Sequence, residues 1–223
     1  MARVLQTESG PQRQSKPYDR QELVEALEGD QEKGNQILQN FYDDMTKRLA
    51  AQQDRLFGDK KEFVYFWPGA VRIAEKSSAP VKNRAHTIET RVELSGKEQG
   101  VIVAVGGMTG GFTMFIKDGR LYYDYNFLDG VYYTMNSPPL PTGTTELKFD
   151  FTKTGEFAGT GELYINGEKV AETEMPKMHI STYSLAETFD VGCDYGTQVD
   201  PRYAGGPFFF KGALDRVNIT LTD

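Results

Sequence analysis

Residues 112–127 read F-T-M-F-I-K-D-G-R-L-Y-Y-D-Y-N-F. Phe112, Met114 and Ile116 fall on every second position, and so do Leu121, Tyr123, Tyr125 and Phe127 after Asp118-Gly119. A period of two sends successive side chains to opposite faces of a strand. Asp-Gly between two such runs supplies the positive φ angles of a two-residue hairpin. The stretch therefore predicts two antiparallel strands joined by a tight turn. Working outward, Val101, Val103 and Val105 alternate before it. Leu147, Phe149 and Phe151, then Leu163 and Ile165, then Val217, Ile219 and Leu221 alternate after it, with Asn166-Gly167 as a second hairpin signal. Short alternating runs punctuated by turns predict a mainly β fold, two antiparallel sheets packed as a jelly-roll-like sandwich over residues 59–223. A content of 14 Phe, 12 Tyr and 23 Gly suits strands and tight turns.

Upstream the period changes. Residues 1–17 are polar, with Gly10, Pro11, Ser15 and Pro17, and read as a flexible tail. Residues 18–58 read as a helical segment: a short helix over 20–28 stopped by Gly29, then a longer one with Asp30 as N-cap and Glu32 in its first turn. Ile37, Phe41, Met45 and Leu49 form one stripe on that helix, and Gly58 is placed to end it. The stripe either packs on its own domain or forms an interface helix, meeting a protein partner or a second copy of the chain.

Charge and cysteine content exclude several classes. A net charge of −7 argues against nucleic acid or an anionic membrane as partner. No apolar run approaches about 18 residues, so no membrane-spanning helix is expected. The start, M-A-R-V-L-Q-T-E-S-G, has no apolar core of a signal peptide, which makes a cytoplasmic location the expectation. A single cysteine, Cys193, permits no intrachain disulfide framework.

Candidate chemistry is thin. Cys193 has neither histidine near it in sequence, and the glycine cluster V-G-G-M-T-G-G-F lacks the G-K-[ST] ending of a phosphate loop. The E-x-D-x-x-E strand pattern of jelly-roll glycosidases is absent. Asp190, Asp194 and Asp200, and separately Asp124, Asn126 and Asp129, could offer oxygens to a structural Ca²⁺, but turn chemistry explains the same residues and no metal or other cofactor is expected. The stronger candidates are Tyr122, Asp124 and Asn126, out of phase with the apolar set and expected to form an outward polar and aromatic strip, with Tyr132 and Tyr133 on the next strand. Such strips bind glycans, rings against sugar faces and amides or carboxylates against hydroxyls, or they bind proteins. Arg84, with Arg72, Lys82 and His86, could face an acidic ligand or hold a strand in place.

Six stretches in this order resemble the β-rich C-terminal module of a group of bacterial arylsulfatases. They are W-P-G-A-V-R-I (67–73), V-K-N-R-A-H-T-I (81–88), K-D-G-R-L-Y-Y-D-Y-N-F-L (117–128), P-L-P-T-G-T-T-E-L-K-F-D-F (139–151), L-Y-I-N-G-E-K-V-A-E (163–172) and F-D-V-G-C-D-Y-G-T-Q-V-D-P-R-Y (189–203). The resemblance covers about residues 63–222 and implies a concanavalin-like or laminin-G-like jelly roll. It does not bring the catalytic machinery. The C-x-P-x-R or S-x-P-x-R nucleophile motif is absent, and Tyr195 and Thr197 stand where Pro and Arg would follow Cys193. The expected function is a non-catalytic interaction module binding a protein partner. The alternatives are the C-terminal part or a subunit of an arylsulfatase, and a lectin-like module that binds glycan.

Overall fold

The computed structural model describes residues 31–223 apart from 129, 181 and 185. The tail at 1–17, the helix at 20–28 and the Asp30 cap lie outside the described residues. The chain divides into two units between Met45 and Thr46. Helix α1 (Gln31–Phe57) runs through that division. In the first unit Ile37, Phe41 and Met45 are half-buried, while Leu38 and Tyr42 are exposed. In the second unit Leu49 and Phe57 pack against the sandwich core, and the Phe57 ring meets Phe63 edge-on at 5.3 Å. Gly58 ends the helix with φ +54° and donates to Asp54 O at 2.9 Å, the left-handed stop expected of it.

The second unit is a sandwich of two six-stranded antiparallel sheets, as the alternation predicts. Sheet A runs β1 (Glu62–Phe66), β12 (Ala213–Leu221), β3 (His86–Leu94), β8 (Gly143–Gly155), β9 (Ala158–Ile165), β10 (Glu168–Met175). Sheet B runs β2 (Ile73–Ala74), β11 (Thr188–Val191), β4 (Gly100–Gly107), β5 (Gly110–Lys117), β6 (Arg120–Leu128), β7 (Val131–Asn136). Both predicted hairpins form. Asp118 and Gly119 take φ +50° and +69°, and Asn166 and Gly167 take +51° and +83°, so each pair closes a two-residue turn in which both residues are left-handed.

The main core lies between the sheets. Phe112, Met114, Ile116, Leu121, Tyr123 and Tyr125 of sheet B face Leu147, Phe149, Phe151, Leu163, Val217 and Ile219 of sheet A. Tyr123 stacks on Phe149 at 3.6 Å between ring centroids. One element of the alternation fails. A β-bulge between Val101 and Val103 puts Ile102 and Val103 into the main core and leaves Val101 in a second cluster. That second cluster holds Val101, Ala104, Phe115, Val199 and Tyr203, and it lies on the outer face of sheet B.

Candidate functional site

The two outer faces meet different fates. On sheet B, residues 193–210 fold back across β4, β5 and β6. Tyr203 lies edge-on to Phe115 at 5.0 Å and stacks with Phe208 at 5.3 Å. Backbone bonds fix the cover: Gly192 donates to Ile102 O, Phe210 N to Gly192 O, and Val101 N to Phe208 O, each at 2.9 Å.

This cover corrects the expectation of an exposed strip at Tyr122, Asp124 and Asn126. The three side chains do turn away from the main core, but Asp124 and Asn126 are buried and Tyr122 is half-buried. Asn126 spends its amide hydrogens on Gly107 O at 3.0 Å and Met108 O at 3.2 Å, and its Oδ1 accepts from Leu128 N at 3.0 Å. Tyr122 lies in a stack, parallel to Phe115 at 5.0 Å with the Arg202 guanidinium at 4.6 Å from its ring. Arg202 bridges Asp124 and Asp200, contacting Oδ2 of Asp200 at 2.9 Å, and Lys117 Nζ donates to Arg202 O at 2.5 Å. Tyr132 is half-buried on β7, opposite Asn126, and burial raises its hydroxyl with Asp200 adding to the effect. These groups are fastenings of a closed face.

Of the aspartates suggested for calcium, Asp129 lies outside the described residues, Asp190 ties β11 to the chain before β2, and Asp194 and Asp200 serve the same cover. Asp190 accepts Arg72 N at 2.5 Å, and Asp194 accepts Val199 N at 2.9 Å and the Tyr203 hydroxyl at 2.6 Å. Asp200 accepts Arg202 N at 2.7 Å. Among the described residues no group of three or more His, Cys, Asp or Glu side chains is arranged to hold a metal ion. Burial pushes the Asp194 carboxyl up to about 7, against the pull of its two donors. Burial, reinforced by Asp190 and Asp194, also pushes the Cys193 thiol up to about 12, which favours the protonated thiol over the thiolate.

Arg84 lies elsewhere, at the end of sheet A. Its Nε contacts the Asp223 side chain at 2.9 Å, and that carboxylate also accepts Ala85 N at 3.2 Å. Neighbouring Asn83 takes φ +54° and clamps the β8–β9 turn through Glu156 Oε2 and Phe157 N, each at 2.7 Å. The V-K-N-R-A-H-T-I stretch thus ties strand ends together.

Among the described residues no segment folds across the outer face of sheet A. Strand register lays the outward side chains in rows. One row runs Val64, Asn218, Glu89, Lys148, Tyr164, Lys169. Beside it run Glu62, Thr220, Thr87, Asp150, Glu162, Glu172. On the other side Phe66 faces Arg216 and Arg91 faces Glu146. A groove of about 790 Å³ lies over this face, lined by Trp67, Glu89, Arg91, Lys148, Tyr164, Arg216 and Asn218 among others. Arg91 Nη2 pairs with Glu146 Oε1 at 2.6 Å and Lys148 Nζ with Asp150 Oδ2 at 3.0 Å. Lys148 also sits 5.0 Å from the Tyr164 ring centre. The Tyr164 hydroxyl donates to Glu162 at 2.6 Å, which with Lys169 lowers that carboxyl below its usual range. Rings, an amide, carboxylates and cations within a few strand spacings of each other can hold a polar, ring-shaped ligand. The sequence signal for this face was the alternation of Glu89, Arg91 and Glu93 with buried Ile88, Val92 and Leu94, in strand β3.

No protein-family model matches the chain, and no curated protein matches it. Solved structures do. A leech intramolecular trans-sialidase complexed with 2,7-anhydro-Neu5Ac is 13% identical, with TM-score 0.51 over 72% of this chain and 25% of that one. The NanB sialidase of Streptococcus pneumoniae is 14% identical, with TM-score 0.50 over 70% of this chain and 26% of that one. The CBM40 carbohydrate-binding module of a Ruminococcus gnavus sialidase, bound to α2,3-sialyllactose, is 16% identical, with TM-score 0.49 over 72% of this chain and 89% of that one. The chain spans about a quarter of the length of the two whole sialidases. The arylsulfatase resemblance rests on its sequence motifs alone. At these identities the likeness is one of architecture, and the protein has a jelly-roll-like β-sandwich fold.

Proposed function

We propose that this chain is a non-catalytic module that binds saccharide in the open groove on the outer face of sheet A. The observation that carries the reading is the contrast in cover: the face with the more obvious aromatic strip is closed, and no described residue closes the face with Tyr164 and the polar rows. Tyr164 offers ring surface for the C–H face of a sugar, and Asn218, Lys148, Arg91 and Glu89 offer donors and acceptors for its hydroxyls. The likeness to the leech and pneumococcal sialidases supports the sandwich on which this reading stands. The activity of those enzymes belongs to chains about four times the length matched here. The test is a glycan array treated with the labelled full chain. Saturable binding to a defined set of glycans is the expected result, and failure to bind any would overturn the reading.

A second reading is an accessory module of an arylsulfatase. It is favoured by the six motif stretches, which supply framework parts such as the two Asx-Gly turns, the Asn83 clamp and the sheet B cover. Co-expression with an arylsulfatase catalytic domain that resembles the same group tests it. A stoichiometric complex supports this reading, and separate elution of the two proteins contradicts it.

A further inference from the structure

We infer that the groove on sheet A takes a neutral sugar bearing vicinal hydroxyls, centred on Glu89, and rejects acidic glycans. The inference rests on the saccharide-binding reading and narrows its ligand. A carboxylated or sulfated sugar needs a cation left free to receive it, ideally a guanidinium offering two parallel N–H groups. Each cation lining the groove already faces an acid: Arg91 has Glu146 at 2.6 Å, Lys148 has Asp150 at 3.0 Å, and Arg216 has Asp215 at 3.6 Å. Carboxylates also outnumber cations there, because Glu89 and Glu93 line the groove as well. The adjoining register row adds Glu62, Asp150, Glu162 and Glu172. An anion entering this field would meet cations whose charge is already matched and net repulsion from the surplus carboxylates.

Glu89 has the opposite character. It is exposed, near the middle of its row between Asn218 and Lys148, and it makes no ion pair with any described residue. An ionised carboxylate accepts only, and its two oxygens match two adjacent hydroxyl donors. The cations already neutralised by their acids keep N–H groups to spare, since an ammonium has three and a guanidinium five, and these can donate to ring and hydroxyl oxygens. Tyr164, on the same row, supplies the face against which the ring lies.

The test uses the full chain on an array carrying neutral, sialylated, sulfated and amino-sugar oligosaccharides, with lactose and 3′-sialyllactose as a matched pair. Calorimetric titration of the best neutral hit follows. The expected result is binding confined to neutral glycans, an affinity that changes less than about twofold between low and physiological salt, and a loss of about tenfold or more for Glu89→Gln. Glu89→Asp, which keeps the charge and shortens the reach, should lose less than Glu89→Gln. Binding only to sialylated, sulfated or cationic amino sugars would overturn the inference and leave the saccharide reading standing. An unchanged affinity in Glu89→Gln would also overturn it. Failure to bind any glycan would overturn both.

Discussion

The outer faces of the two sheets begin from similar material and end differently. Strand β6 on sheet B turns Tyr122, Asp124 and Asn126 outward; β8 and β9 on sheet A turn out Glu146, Lys148, Asp150, Glu162 and Tyr164. In the first set Asp124 and Asn126 are buried beneath residues 193–210 with Tyr122 half-buried, whereas in the second Glu146, Lys148 and Tyr164 line a groove. A polar residue on a strand's outward side is therefore not yet a surface residue, because a segment with no periodicity of its own can close over it. Burial then changes the chemistry. Asp124 under the cover needs Arg202, whereas the Arg91–Glu146 pair on sheet A is solvated on both partners.

That contrast can be broken most forcefully at Arg202. Arg202→Met leaves Asp124 buried without its cation, and the expected cost is about 3–5 kcal/mol in urea unfolding. A cost below about 1 kcal/mol would mean that the cover is not fastened there. Proton linkage should separate the faces next. The folded chain holds a proton on Asp194 up to about pH 7, whereas the unfolded chain releases it near 3.8. Its contribution is thus fully present below about pH 4, declines on the order of 2–4 kcal/mol as pH rises to about 7, and is level above. Asp194→Asn should flatten that decline, and an unchanged pH profile would remove Asp194 as its source. Glu162 on the open face has the opposite sign, because the Tyr164 hydroxyl and Lys169 lower its carboxyl. Its contribution is present above its ordinary value of 4.5 and is lost as pH falls through the lowered one.

A subtler effect is expected where the two sheets communicate. A Cβ on Gly192 would lie 2.8 Å from the Trp67 ring, and Gly192 itself sits at φ +75°. Trp67 lines the sheet A groove. Gly192→Ala should therefore cost on the order of 1–3 kcal/mol and shift the Trp67 fluorescence, which nothing else confounds because the chain has 1 Trp. Unshifted emission would show that Trp67 does not rest on Gly192. The smallest effect belongs to the exposed pair: Arg91→Ala should cost less than about 1 kcal/mol in the same unfolding experiment. A larger loss would show that the open face is less solvated than described.

The sequence carried most of the architecture because its signals are local. Period-two runs such as Leu147, Phe149 and Phe151 named the core side of each strand, and Asp118-Gly119 and Asn166-Gly167 named their turns. The bulge at Val101–Val103 was hidden because one residue's slip leaves an equally apolar run on both faces. The site was misread for a related reason. Alternation identifies two faces but not which outer face will be covered, since that depends on a distant segment folding back. Two signals did point to closure: Phe115 is an aromatic out of phase with Phe112, Met114 and Ile116, and β4 is apolar on both sides. A strand with apolar residues on both faces is a strand buried on both faces. The groove itself needed the register of four strands, β12, β3, β8 and β9, which no single stretch of sequence displays.

The most direct measurement is glycan-array binding by Tyr164→Ala beside Tyr122→Ala, both checked for native circular dichroism. Tyr164 stands on the open face and Tyr122 beneath the cover. Tyr164→Ala is expected to abolish binding, and folded Tyr122→Ala to retain it. Loss of binding in folded Tyr122→Ala with retention in Tyr164→Ala would place the working surface on sheet B instead of sheet A.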